Sequence, residues 1–424
     1  MATDVDVQYF SHLNGLTLGN NWGDLIRLLD KALVTGIDFT QITTASIDAQ
    51  GDVHITLYAA HNAMLFQLVE LSGFTPASLN QKYRIKGVPS ETELILKPHT
   101  AIVETSITTV GAGKLASLGY EIIFRDANDV KRVYRAKNPT AQHPFIRVDE
   151  SLTSPDGTTG VYSSAYAKFA MVGLLEHMEH IDDCANLNIQ QLPFDSADSM
   201  KNWKITGTGA EVIRGWSKWY FSTAVDASTN IYESTSPSVW QRAFTVIGDA
   251  DAFYFHAAKS TQNTRKLLYG CGLLNSSDNH PEFSWFLATS LHQRKAGENI
   301  QLWTMTGGMP LCYGPVASSI FARTFNQASP VQPHIAMLPI IPDYTSGYSA
   351  QYTEGGYPAL EIPLVDGSRR LRGTLKHVLY SGKIFTPTQL DPYISDSSMY
   401  ISDTILINTS NQIGNVSFYL GELE

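Results

Sequence analysis

The sequence predicts a mainly β protein with a few helices, an α+β chain of several small β-sandwich or barrel-like modules with an N-terminal amphipathic helix. Short alternating apolar and polar runs such as Asp52–Tyr58 recur between turn-forming spacers. Aromatic residues make up 11% of the chain and charged residues only 17%, below the roughly 25% of an average soluble domain. Ser, Thr, Asn and Gln supply the remaining polarity. This composition suits sheet faces that are buried or that meet neighbouring subunits.

The length of 424 residues predicts two to three domains. We expect an N-terminal helix plus a small β-module in residues 1–100 and a β-rich middle domain in 101–230. A β-rich C-terminal domain follows in 231–424, and it includes a long irregular segment at 305–370. That segment is rich in Gly and Pro, so it is ordered only if its neighbours hold it in place.

One segment, residues 22–34, has the periodicity of an amphipathic helix. Its apolar residues fall at i, i+3, i+4, i+7 and i+8 and form one stripe: Leu25, Leu28, Leu29, Ala32 and Leu33. Asn21 is the candidate N-cap and Gly36 ends the helix. A helix of this length needs a sheet to pack against.

The stretch from Ala60 to Leu96 predicts a small β-module. Its three apolar runs are separated by turns: Met64–Leu71, Tyr83–Ile85 and Glu93–Leu96. A one-turn helix is expected at Thr75–Asn80, and the strands Gln41–Ile47 and Asp52–Tyr58 precede the module. The module contains no catalytic group, which favours a structural or recognition role.

The rest of the chain predicts further strands and hairpins. The clearest hairpin joins Phe244–Ile247 to Phe253–His256 through a Gly-Asp turn. The other predicted strands are Tyr120–Arg125, Lys131–Arg135, Phe145–Val148, Tyr166–Met178, Leu267–Leu273, Phe283–Leu287, Ser398–Ile407 and Gly414–Leu420. For Tyr166–Met178 a helix is the alternative.

Charge and cysteine usage exclude several classes of protein. The net charge of −10 argues against a nucleic-acid partner, which usually requires a basic face. Cys184, Cys271 and Cys312 are too scattered for a disulfide framework, so we expect three buried thiols in a reducing compartment. The acidic N-terminus does not resemble a signal peptide, and no apolar run approaches 18 residues, so we expect no membrane partner.

Several polar motifs fall short of a catalytic or metal-binding pattern. In Glu176–Asp183 the two histidines lack the H-E-x-x-H spacing, which favours a solvated or intersubunit polar edge over a metal site. Gly111–Lys114 and Gly207–Gly209 match only parts of nucleotide-binding fingerprints, so turns are the preferred interpretation. Asp249 and Asp251 suit a turn better than a calcium loop. None of these motifs identifies a catalytic residue, cofactor or metal, so we predict none.

An aromatic group in the middle domain is the candidate contact site. Its members are Trp203, Trp216, Trp219 and Tyr220. Such rings stack on sugars or on a protein partner, but aromatic residues also fill cores. Both interpretations remain open on the sequence.

Several segments resemble virion structural proteins of tailed bacteriophages. Near the start these are VQYFSHLNG, LIRLLDKAL and LSGFTPASLNQKYRIKGVPSETEL, followed by GYEIIFRD (119–126), VYRAKN (133–138), FIRVDES (145–151), RAFTVIGDADAFYFHAA (242–258) and LRGTLKHVLY (371–380). The chain departs from the pattern at Gln81, where the family often has glycine, and in 305–370.

The resemblance implies a structural component of a phage particle, not an enzyme, that acts by subunit assembly. It does not fix the part of the particle, and we favour the tail or baseplate. Its partners would be copies of itself and other virion proteins, with a host surface glycan as a further partner, and it would be located in virions assembled in the host cytoplasm. The alternatives are a head, neck or capsid-decorating protein, or a receptor- or carbohydrate-binding module. A hydrolase of a bacterial surface polymer has only the abundance of acids and histidines in its favour.

Overall fold

Strands arranged in several antiparallel sheets make up most of the protein. The computed structural model describes residues 6–224, 230–277, 284–312, 319–323, 331–341, 359–382, 390–408, 410 and 412–423. Within these ranges the chain is mainly β, and its α-helix lies near the N-terminus. The predicted fold class is therefore confirmed.

The predicted amphipathic helix is present, but its N-terminus differs from the prediction. The α-helix Asp24–Leu29 continues as a π-helix, Asp30–Thr35, and ends at Gly36. Gly23, not Asn21, is the N-cap, because Glu150 supplies the cap from another element. The Glu150 carboxylate accepts the backbone N–H groups of Gly23 (2.6 Å) and Ile26 (2.8 Å). Short 3-10 helices lie at His12–Asn14, Ala77–Leu79, Gly209–Glu211 and Leu302–Thr304.

An N-terminal sheet contains the strands predicted between residues 37 and 100. Its seven described strands lie in the spatial order Ile37–Asp38, Ala112–Leu115, Leu68–Ser72, Lys82–Ser90, Glu93–Pro98, Val53–Leu57 and Ile42–Ile47. Among the described residues, the last of these strands pairs on one side only, so it forms an edge of this sheet. The alternation in Val53–Leu57 buries Val53, Ile55 and Leu57, as the sequence predicts.

A middle sheet has a centre of strands that are buried along their whole length. Its described strands are ordered Ser290–Leu291, Ser217–Ser222, Lys168–Leu175, Phe145–Asp149, Lys131–Ala136 and Tyr120–Arg125, and Gln191–Leu192 also pairs with Lys168–Leu175. Every residue of Lys168–Leu175 is buried, which explains why its sequence shows no alternation.

The large sheet has thirteen described strands. Twelve follow the order Gln8–Ser11, Phe244–Gly248, Ala252–Ala258, Lys266–Leu273, Trp285–Ala288, Ile320–Arg323, His334–Pro339, Leu360–Val365, Leu371–Gly382, Ile413–Glu422, Ser398–Leu406 and Asp391–Ser395, and Asn275–Ser276 pairs with Leu371–Gly382. Two further strand pairs are separate from the three sheets: Ile205–Thr206 with Ile213–Arg214, and Asn230–Tyr232 with Asn299–Gln301.

The segment 305–370 is more regular than its composition predicts. Its described residues include the strands Ile320–Arg323, His334–Pro339 and Leu360–Val365, all within the large sheet. The prediction of an irregular segment is wrong at these ranges, because neighbouring strands supply the hydrogen bonds that a Gly- and Pro-rich chain cannot make alone. Residues 313–318, 324–330 and 342–358 lie outside the described residues.

All three sheets cross the boundaries of the three predicted blocks. In the N-terminal sheet, Ala112–Leu115 from the middle block pairs with Leu68–Ser72. Gln8–Ser11 pairs with Phe244–Gly248, and Ser290–Leu291 pairs with Ser217–Ser222. The three-domain division stays a prediction. Cys184, Cys271 and Cys312 are buried, as expected, and none of them is in a disulfide bond.

Candidate ligand-binding cleft

A cleft lies where the large sheet meets a loop of the middle sheet. Its volume is about 470 Å³, within the range of small-molecule sites. The loop Thr140–His143 forms one wall, and Asp251 and Lys376 come from two elements of the large sheet. The other lining residues are Leu273, Leu274, Asn275, Ser276 and Ser284.

The polar centre of the cleft is the carboxylate of Asp251. Its Oδ1 lies 2.8 Å from His143 Nε2, and its Oδ2 accepts a hydrogen bond from Lys376 Nζ. The Thr140 backbone N–H donates to His143 Nδ1 at 2.8 Å. Because Nδ1 is therefore an acceptor, the ring proton lies on Nε2 and is donated to Asp251.

These contacts fix the charge of the cleft. The hydrogen bond from His143 holds the pKa of Asp251 well below its usual range; burial opposes this effect and Lys376 adds to it. The Asp251 carboxylate is thus ionised and is balanced by the Lys376 ammonium. The carboxylate and the ammonium offset each other, so this ion pair presents no net charge to a ligand.

The adjacent Asp249 belongs to the turn. Its Oδ1 accepts the backbone N–H groups of Asp251 (2.9 Å) and Ala252 (3.0 Å), and its Oδ2 lies 2.8 Å from His377 Nε2. Burial alone would raise the pKa of Asp249, but the hydrogen bond and charge of His377 outweigh it and lower the pKa. The turn interpretation of Asp249 is therefore confirmed, since its carboxylate accepts the N–H groups of Asp251 and Ala252 and its own N–H donates to the Ala252 carbonyl.

The cleft is better equipped to bind than to catalyse. Both nitrogens of His143 are engaged, so the ring has no free lone pair with which to act as a general base. Ser276 and Ser284 line the cleft, and each has a further partner. Amide, hydroxyl and carboxylate groups beside two leucines suit an uncharged ligand that carries several hydroxyl groups.

The predicted aromatic group does not form one surface. Trp219 and Tyr220 have no exposed side-chain area, and Trp203 is 6% exposed. Trp219 donates to the Ala288 carbonyl (3.1 Å), and Tyr220 donates to Glu233. Burial in the core explains these three positions.

Trp216 is the one member of that group that reaches the surface. It is half-buried, with Lys201 Nζ 4.1 Å from its ring centre and the His334 ring at 5.1 Å. A contact role for the aromatic group stays a prediction, and Trp216 is the member able to touch a ligand.

The other polar motifs are surface or strand residues. His177 and Glu179 are exposed and lie 3.3 Å apart, while His180 accepts the backbone N–H of Asp182. Lys114 lies in the strand Ala112–Leu115 and pairs with Glu70 at 3.2 Å. Across the described ranges, no three His, Cys, Asp or Glu side chains are grouped as metal ligands. None of the helices in those ranges is long and apolar enough to span a bilayer.

Comparison with known proteins gives little further guidance. No family model matches the chain, and no curated protein matches its sequence. Among solved structures, the chain aligns with a phage phi92 endosialidase at 10% identity and a TM-score of 0.16, over 91% of this chain and 52% of the other. The chain thus spans about half the length of that protein. A TM-score this low carries no inference about fold or function.

Proposed function

We propose that this chain is a structural component of a bacteriophage particle, in the tail or baseplate, and that it acts by contact between subunits. The observation that carries the proposal is an apolar row exposed on three neighbouring strands of the large sheet. Leu338 lies opposite Val365, and Val365 lies opposite Leu371. Leu338 is 49% exposed and Leu371 53% exposed. Residues directly opposite each other share a sheet face.

The row continues along the same face. Ile340, two positions beyond Leu338, is 52% exposed, and its N–H donates to the Pro363 carbonyl at 2.8 Å. Contiguous exposed apolar side chains on one face are costly in water and mark an interaction surface. The uncharged edge strand Ile42–Ile47 offers a second contact, because its outer backbone groups can pair with another chain.

The test is the oligomeric state of the Leu338→Asp/Leu371→Asp double variant. We expect the wild-type chain to be oligomeric by light scattering and the double variant to be monomeric, because a charge on an apolar interface is desolvated without a partner. Val239→Asp is the matched control: Val239 is 90% exposed and lies outside the three sheets, so this variant keeps the wild-type size.

Imaging of the particle then assigns the location. Antibody labelling of purified virions is expected at the tail or baseplate, and labelling at the neck or capsid would support the head-associated alternative. A wild-type chain that is monomeric in solution and absent from virions would contradict the assembly role.

A second candidate function, binding of a host surface saccharide, is favoured by the cleft at Asp251. The carboxylate, amide and hydroxyl groups that line the cleft can form hydrogen bonds with the hydroxyl groups of a sugar. We expect Asp251→Asn to weaken binding of an array-selected neutral glycan at least tenfold, since a charged hydrogen bond contributes about 1.5–3 kcal/mol. Trp216→Ala is expected to leave that affinity unchanged; the opposite result would place the glycan at Trp216.

A further inference from the structure

A lysine and an aspartate face each other inside the large sheet, shielded from water. Lys266 lies on the strand Lys266–Leu273, and Asp403 lies on Ser398–Leu406. Lys266 Nζ is 2.5 Å from Asp403 Oδ1, and the two side chains are 3% and 0% exposed. The two strands are not neighbours in the sheet order. The contact therefore joins distant parts of the sheet.

The surroundings of this pair hold the carboxylate in one orientation. The Thr404 backbone N–H donates to Oδ1 at 2.8 Å, and Thr245 Oγ1 donates to Oδ2 at 2.9 Å. These contacts lock the rotamer of Asp403. Its carboxyl carbon is thereby presented to the lysine.

A histidine without a good hydrogen bond completes the group. His256 is fully buried, its Nδ1 lies 3.3 Å from Asp403 Oδ2, and neither ring nitrogen makes a hydrogen bond of good geometry to the described residues. Burial lowers the pKa of His256, so the ring is neutral. A buried imidazole without hydrogen bonds is destabilising, so stability alone does not explain its place beside an ion pair.

We propose that Lys266 and Asp403 form an intramolecular isopeptide bond and that His256 carries the proton between the reacting groups. A proton first passes from the Lys266 ammonium to the Asp403 carboxylate within the pair. The amine lone pair then attacks Cγ, and a new C–N bond forms. His256 takes the proton released from nitrogen and gives it to the departing hydroxyl group, so that the C–O bond breaks and water leaves. An amine and an acid become an amide and water, and no oxidant or reductant is needed.

The geometry and the environment both favour this step. A carboxyl C–O bond is about 1.2 Å long, so Nζ lies no more than about 3.7 Å from Cγ, close to the separation of a near-attack arrangement. Exclusion of bulk water protects the reacting groups from competing solvation. The product replaces two buried charges with a neutral amide and removes their desolvation cost.

A second buried pair, Lys218 and Glu233, serves as the internal comparison. Its side chains are fully buried, and Nζ lies 2.8 Å from Oε1. Here the nearby His292 Nε2 is paired with the Tyr220 hydroxyl at 2.7 Å. Within the described residues, no hydrogen bond joins that imidazole to the Glu233 carboxylate, so we expect this pair to remain an ion pair.

The experiment is intact-mass spectrometry of the denatured full-length chain. We expect the wild-type mass to be lower than the sequence mass by one water molecule. A tryptic digest should contain a branched peptide that joins the segments carrying Lys266 and Asp403. Lys266→Arg keeps the positive charge but cannot form this amide, so its full sequence mass is expected, whereas Lys218→Arg is expected to keep the deficit of one water.

The role of His256 has its own readout. His256→Gln is expected to slow bond formation by about 10²-fold or more, followed as the growth of the dehydrated species with time after refolding. A wild-type chain that keeps its full sequence mass through prolonged incubation would overturn the proposal, as would a deficit that persists in Lys266→Arg. If Lys266→Arg does not fold, the branched peptide in the wild type decides the question. The isopeptide bond is tested by the mass of the chain and the assembly role by its oligomeric state. Either proposal can therefore fail without the other.

Discussion

At the scale of single residues, the protonation of Glu150 at a helix N-terminus makes the stability of the protein depend on pH. Its carboxylate is fully buried and accepts the N–H groups of Gly23 and Ile26. Burial raises the pKa of Glu150 from 4.5 to about 7, and the two backbone hydrogen bonds only partly offset this effect. Between these two values the folded chain binds more protons than the unfolded chain. The contribution to stability is therefore full below pH 4.5 and is lost as the pH rises through 7.

This predicts a loss of stability between pH 5 and pH 8 that depends on Glu150. In denaturant unfolding, the free energy of unfolding should fall by about 2–3 kcal/mol more in the wild type than in Glu150→Gln over this interval. In Glu91→Gln, at an exposed position, the free energy of unfolding should fall by as much as in the wild type. An equal fall in wild type and Glu150→Gln would contradict the assignment.

Residues of the cleft show where sequence reasoning stops. Asp251 is predictable as a turn residue because its turn is local. Its partners His143 and Lys376 lie 108 and 125 positions away, so nothing in their own neighbourhoods indicates the contact. Trp219 shows the converse limit: an aromatic residue on a strand has the same local pattern whether its ring meets solvent or, as here, the rings of Phe255 and Tyr269.

At the scale of elements, Gly36 ends the helix at the point where the backbone packs against the N-terminal sheet. It has φ 72° and ψ −168°, a conformation that suits glycine. A Cβ at this position would lie 2.0 Å from the Leu115 carbonyl oxygen. The helix can leave the sheet at this angle only because no side chain is present.

Gly36→Ala is therefore predicted to lower the free energy of unfolding by about 3 kcal/mol or more, because backbone strain and overpacking add. Gly157 is the matched control, with φ 73° and no atom within 4 Å of an added Cβ. Gly157→Ala should cost about 1 kcal/mol through backbone strain alone. Thermal or denaturant unfolding measures both, and equal costs would show that the contact with Leu115 is easily relieved.

Hairpins were the most predictable elements because each is specified by adjacent residues. Phe244–Gly248 and Ala252–Ala258 pair around the turn that the Gly-Asp motif predicts, and Tyr120–Arg125 pairs with Lys131–Ala136. The helix cap at Gly23 was not predictable from Asn21, since Glu150 supplies it from 127 positions away. Local sequence specifies turns and periodicity, whereas long-range contacts decide caps and the pairing of strands such as His334–Pro339.

At the scale of the whole molecule, Arg84 links three distant segments. Its Nη1 donates to the carbonyls of Val7 (2.8 Å) and Phe66 (2.9 Å), and its Nη2 donates to that of Leu420 (3.1 Å). The side chain is 2% exposed. The N-terminal sheet and the large sheet thus share one guanidinium.

Arg84→Met is predicted to lower the free energy of unfolding by about 3 kcal/mol or more, because it leaves buried carbonyl groups without a donor. Lys82→Met, on the same strand, removes a surface ion pair with Asp6 and should cost less than about 1 kcal/mol. Denaturant unfolding of both variants checks the difference. A cost at Arg84 as small as that at Lys82 would mean that water replaces the lost donors.

The pairing of Gln8–Ser11 with Phe244–Gly248 has a consequence for biosynthesis. The seven described strands of the N-terminal sheet lie between residues 37 and 115, so they can pair with one another as soon as this segment has been translated. Gln8–Ser11, although made earlier, finds its partner only after more than two hundred further codons have been read. At about 5–20 residues per second, translation imposes a delay of about ten seconds or longer before Gln8–Ser11 can pair with Phe244–Gly248.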